Sequence, residues 1–151
     1  MAGKHGIAQK QDMALAAATP KTVVQIVAAA NHGIDLAEVG VGFDGTDNTK
    51  EAVEIDLVRQ SDAGTGGDAL TIVGGNDSDG DTFDTTALSD IDSAEPTGTV
   101  VVRSWRVHPQ TGFVFQPSDL APIHVGAGDR LGLRCTSAAV VNVDAYMAFV
   151  E

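Results

Sequence analysis

The stretch Val141-Asn142-Val143-Asp144-Ala145-Tyr146-Met147-Ala148-Phe149 decides the fold. Its apolar members Val141, Val143, Ala145, Met147 and Phe149 take every second position, with Asn142, Asp144, Tyr146 and Ala148 between them. A period of two sends alternate side chains to opposite sides of an extended chain, so this is a strand with one face in a core. The same period recurs upstream. Leu131, Leu133 and Cys135 alternate with Arg130, Gly132 and Arg134, and Val53, Ile55 and Leu57 with Glu54 and Asp56. Val39, Val41 and Phe43 alternate with Glu38, Gly40 and Gly42. Residues 22–30 and 99–108 carry β-branched side chains on both faces, which predicts strands covered on both sides. Shorter strands are expected over 69–73, 112–115 and 123–125.

Turn-forming runs separate these segments: Asn31-His32-Gly33, Asp44-Gly45-Thr46-Asp47-Asn48, Ala63 to Gly67, Gly74 to Asp77, and Gly126-Ala127-Gly128-Asp129. Helical signal is confined to Gln9–Ala18, where two or three turns are expected before Pro20 stops them. About nine short strands with no intervening helix make a β-sandwich or barrel. Near the end, Ile123-His124-Val125, a tight Gly/Asp turn, Arg130 to Cys135 and a long last strand succeed one another as in a jelly roll. The predicted fold is all-β, a jelly-roll β-sandwich over residues 22–151 with an extended N-terminal arm over residues 1–21.

A chain of 151 residues suits one domain and buries enough surface for a core without metal or disulfide staples. Apolar residues are 43% and charged residues 20%, as in an ordinary soluble globular protein. The net charge of −12 repels phosphate backbones and anionic headgroups, which argues against nucleic acid and membrane as partners. Residues 1–21 carry Lys4, Lys10 and Lys21 against Asp12 alone, whereas no Lys or Arg stands between Arg59 and Arg103. A basic stretch ahead of an acidic body reads either as an untethered, frayed terminus or as an arm that reaches onto a neighbouring subunit. The single cysteine, Cys135, excludes an internal disulfide and fits assembly in a reducing compartment. The apolar run Met13–Pro20 is too short for a secretory core, and no run approaches the ~20 residues of a membrane helix.

Catalytic and metal-binding patterns are incomplete wherever they begin. Asp77, Asp79 and Asp81 alternate as in a calcium loop, but Thr82 and Leu88 stand where an EF-hand needs Gly and Glu. The run reads instead as a solvated acidic loop. His5, His32, His108 and His124 are too far apart in sequence for a metal pair, and each reads as a turn or surface residue. Cys135 lies on an apolar strand face as a small inert hydrophobe. Glu54 and Asp56 share a polar face, yet twenty acids in the body produce such pairs by chance. The expectation is no enzyme and no cofactor. Trp105 is expected in core or subunit-interface packing.

Several segments together resemble a family of small virion proteins of tailed bacteriophages. They are Ala18-Thr19-Pro20-Lys21-Thr22, the strand Val23 to Ala30, Ile34 to Asp56, Ser104 to Phe113 and Val125 to Thr136; the likeness spans Thr19 to Glu151. The resemblance implies a jelly-roll decoration (cement) protein, often trimeric, on the outer capsid surface, made in the host cytoplasm. Its partners would be the major capsid protein and copies of itself, gripped in part through the N-terminal arm. Lys4, Lys10, Lys21 and Trp105 are the candidate interface residues. A carbohydrate- or receptor-binding module of a phage surface or fibre is the alternative, with Trp105 or Tyr146 exposed beside polar loops. A trimeric ligand head shares the fold but lacks a secretion route here.

Overall fold

A computed structural model describes residues 3–45, 51–75 and 82–151, and every regular element in them is a β-strand. The strands are β1 (His5–Leu15), β2 (Lys21–Val27), β3 (Ile34–Phe43), β4 (Val53–Gln60), β5 (Asp68–Leu70), β6 (Ile72–Gly74), β7 (Thr86–Ser89), β8 (Val100–Val107), β9 (Gly112–Phe115), β10 (His124–Val125), β11 (Arg130–Thr136) and β12 (Val141–Val150). They form two sheets in which neighbouring strands are antiparallel. One runs β3-β12-β1-β6, with β10 and β9 both on the outer side of β3; the other runs β5-β7-β2-β11-β4-β8.

Alternation decides which side chains meet between the sheets. Val143, Met147 and Phe149 from β12 join Leu131 and Leu133 from β11, Ile55 and Leu57 from β4, and Ile26 from β2, all inaccessible to solvent. The chain is a β-sandwich, as the period of two predicts. Cys135 lies in this core, where burial, then the charges of Asp56 and Glu95, push its thiol up to about 12, so it carries no thiolate chemistry.

Expectations for two segments are overturned. Gln9–Ala18 is not helical, and most of residues 1–21 is no detached arm: β1 lies between β12 and β6, paired with β12 from His5 to Leu15. An Ala-rich helix of two or three turns is marginal in water. Extended, the segment gains a full ladder and buries Ala8, Met13 and Leu15. A bulge between Lys10 and Met13 restores the core-facing alternation, with Asp12 at a φ of 55° and its N–H bonded to Asp144 Oδ1. The second correction concerns residues 99–108. β8 is largely exposed rather than covered on both sides, because it is the last strand of its sheet and only β4 flanks it among the described residues.

The outer face of the β2-β11-β4 sheet is closed by polar side chains. Gln60 donates to Thr22 Oγ1 (2.8 Å) and accepts from Gln25 (2.7 Å), while Thr22 donates its N–H and hydroxyl to Glu95 (2.6 Å each). Arg134 pairs with the buried Asp56 at 2.8 Å. Gly132 leaves room for Gln60: a Cβ there would stand 2.2 Å from the Gln60 amide oxygen. Thr22 to Ala30 is thus covered on both faces through most of β2, as its sequence predicts.

Candidate partner-binding surface

β8 forms one margin of the sandwich. Val100 and Val101 are 62% and 51% exposed, although they sit next to each other and so project to opposite faces. The register along β4 shifts between Leu57, opposite Arg103, and Val58, opposite Val101, which leaves Val102 as a bulge. Bulges and charges are the usual devices that keep an edge strand from indiscriminate pairing. Arg103 and Arg106 supply the charges here. The Arg106 guanidinium bonds to Glu54 at 2.6 Å, whereas Arg103 donates to the carbonyl of its own neighbour Val102 and stays exposed. The result is a guarded edge with a bare valine pair at its start.

Trp105 closes this margin. Its half-buried ring lies 5.0 Å from Phe113 and 4.7 Å from Phe115 of β9, tilted by 46° to each, so it bridges the two sheets. The expectation of packing for Trp105 holds within the chain itself. Because Phe113 and Phe115 face Trp105, Val114 between them faces outward and is 58% exposed.

The outer face of the β3-β12-β1 sheet continues from Val114. A row of opposed residues, Gln9, Tyr146, Gly40 and Val114, crosses four strands. The Tyr146 ring lies over Gly40, where a Cβ would come within 2.1 Å of it. Its hydroxyl donates to Glu38, which also accepts from Gln116. These bonds hold the Glu38 carboxyl below its ordinary range, and the same Glu38 contact, with burial, pushes the Tyr146 hydroxyl up to about 12. Beside the ring, a Cβ on Gly42 would meet nothing within 4 Å, and Gly42 and Gly112 floor an open hollow of ≈ 350 Å³. Glycine at outward positions of neighbouring strands marks a place where another surface can approach the backbone closely.

The lysines separate instead of forming one basic patch. Lys21 is tied to Asp90 and to the Ala14 carbonyl (2.9 Å), and Lys4 donates to the Thr82 carbonyl (2.8 Å). Lys10 stands half-buried opposite Ala145, just before the bulge. Lys21 is therefore spent inside the fold, whereas Lys4 and, on β8, Arg103 are exposed and bond to backbone carbonyls. Comparison with known proteins gives no matching family model, no matching curated protein and no matching solved structure. Glu54 and Asp56 pair with Arg106 and Arg134 respectively, so each carboxylate is engaged by its own cation. The acidic run Asn76–Asp81 lies outside the described residues. Sequence reasoning missed the β8 valines as surface, because their exposure depends on β8 being outermost. It also missed the meeting of His32 with Glu151, which are 3.5 Å apart.

Proposed function

We propose that this chain is a structural virion protein that decorates the outer capsid surface of a tailed bacteriophage and cements neighbouring capsomers, stabilising the head. The carrying observation is the β8 margin, an eight-residue edge strand with an exposed valine pair and an exposed Arg103 on a protein of net charge −12. Such an edge suits pairing with a chosen partner, and its arginines steer it toward acidic shell surface. Strand order supports a jelly roll. In one sheet β1-β12-β3-β9 are neighbours and in the other β2-β11-β4-β8, and β1 to β4 switch sheets at each step, as do β9, β11 and β12. This is the wrap of two nested Greek keys, with β5 to β7 inserted between β4 and β8.

The partners in this reading are the major capsid protein and two further copies of the chain, arranged as a homotrimer. A patch of ~800 Å² per partner supports stable binding. Three linked copies gain roughly 10²–10⁴ in avidity over a single one. Burial of surface, with no catalysis, is the whole activity.

Capsids lacking the protein test the proposal. Added protein is expected to sediment with them and to raise their resistance to heat, while a Val100→Glu, Val101→Glu variant of unchanged melting temperature stays in the supernatant. Shells that neither bind the protein nor gain stability would refute it. The hollow beside Tyr146 favours a second reading, a carbohydrate-binding module. In that case neutral oligosaccharides raise the melting temperature and Tyr146→Ala abolishes the rise.

A further inference from the structure

Glu151 comes directly after β12 and is held from several sides. Its N–H donates to the Lys4 carbonyl (2.8 Å) and its carbonyl accepts from the Lys4 N–H (2.9 Å). Its side-chain oxygens accept from the N–H groups of Asp84 (3.2 Å) and Thr85 (2.8 Å). Burial opposes its charge, but the Thr85 hydroxyl, these N–H groups and His32 outweigh it and hold the carboxyl below its ordinary range. The turn between β2 and β3 brings His32 against this carboxylate.

The imidazole is oriented for a ligand. His32 Nδ1 lies 2.9 Å from Asn31 Oδ1, an atom that only accepts, so Nδ1 carries the hydrogen. Nε2 stands 3.5 Å from Glu151 Oε2, shielded from solvent and without a partner at hydrogen-bond distance. The separation exceeds the ~2.7–3.2 Å of a hydrogen bond. It matches the ~3.4 Å between two donors that each bind a tetrahedral ion at ~2.0–2.2 Å. Asp84 brings a second carboxylate, and one donor atom from each of the three residues lies within 4.8 Å of the others. Thr85, 2% exposed, sets its hydroxyl beside the same Glu151 carboxylate.

We infer that His32, Asp84 and Glu151 form a binding site for a divalent cation of the zinc class. One imidazole and two carboxylates suit zinc and its first-row neighbours, whereas calcium takes six to eight oxygens. Asn31 behind His32, and the N–H groups of Asp84 and Thr85 behind Glu151, are the outer partners that orient metal ligands. The ion would staple three segments distant in sequence: the β2–β3 turn, the approach to β7 and the end of β12. Exposed Asp84 gives the entry path.

The test is calorimetric titration of zinc chloride into the full chain after chelator treatment, with melting temperatures read alongside. One ion per chain is expected, with a metal-dependent rise in melting temperature. His32→Ala and Asp84→Asn are each expected to weaken binding at least ten-fold while the metal-free variants melt close to the parent. His124→Ala, which breaks the exposed 2.8 Å contact with Asp35, leaves zinc binding unchanged. No saturable binding, binding undiminished in both variants, or calcium bound as tightly as zinc would each overturn the site. Should His32→Ala fail to fold, Asp84→Asn alone decides, since its backbone N–H to Glu151 is retained.

Discussion

Outside β2, β11 and β4 the sandwich is shut by side chains that bond to one another. Outside β3, β12 and β1 it shows Tyr146, held by Glu38, and glycines that leave backbone uncovered beside it. On the first face Gln25, Gln60, Thr22 and Asp56 are all buried, each with a partner. On the second, Gly42 and Gly112 leave the backbone bare beside Tyr146. The two faces share strand chemistry and differ in the connections laid over them. The long connection from β4 to β8 carries Glu95 and Asp62 onto the first face, while no described segment of comparable length crosses the second. A sheet face closed by its own hydrogen bonds offers little to a partner, so the contact proposed above falls to the open face and the β8 margin beside it.

The contrast is most severely strained by Arg134→Ala. It leaves Asp56 buried without its cation, and a loss of about 3 kcal/mol or more is expected in urea unfolding. Next comes Gln25→Ala, which strands Gln60 and the Asp62 carbonyl; about 1–3 kcal/mol is expected by the same measurement. On the open face, two similar substitutions should part company. Gly40→Ala drives the Tyr146 ring off its seat and costs about 1–3 kcal/mol, as overpacking does. Gly42→Ala meets nothing within 4 Å and is expected to be neutral or to stabilise by up to about 1 kcal/mol. Equal losses at the two glycines would erase the distinction between seat and hollow.

The smallest effect is a titration. Tyr146 has a folded-state value raised above its ordinary one, so its contribution to stability is complete below pH 10 and is lost as pH rises through about 12. Ultraviolet absorbance should show this single tyrosine ionising late in the parent and earlier in Glu38→Gln. Glu38 works in the opposite direction. Its lowered value means a contribution present at neutral pH and lost as pH falls below its ordinary 4.5.

Local pattern made β3, β4, β11 and β12 readable, since one buried face writes itself into every second residue. Features that depend on a distant neighbour were hidden. β1 reads as an Ala-rich helix because the ladder that extends it is supplied by β12, at the other end of the chain. β7, Thr86–Ser89, went unread because its place is set by β2 and β5 on either side. The exposure of Val100 and Val101 stems from β8 being outermost, a property of sheet order. His32, Asp84 and Glu151 come from three separate segments, so ligand spacing along the sequence carries no trace of their meeting.

Amide hydrogen exchange of the protein, free and bound to capsids that lack it, tests most directly whether β8 is the working surface. Binding should slow exchange over residues 100–107 and 112–115 while the sealed residues of β2 and β11 keep their free-state rates. Slowing confined to other segments, with β8 exchanging as fast on the shell as in solution, would contradict it.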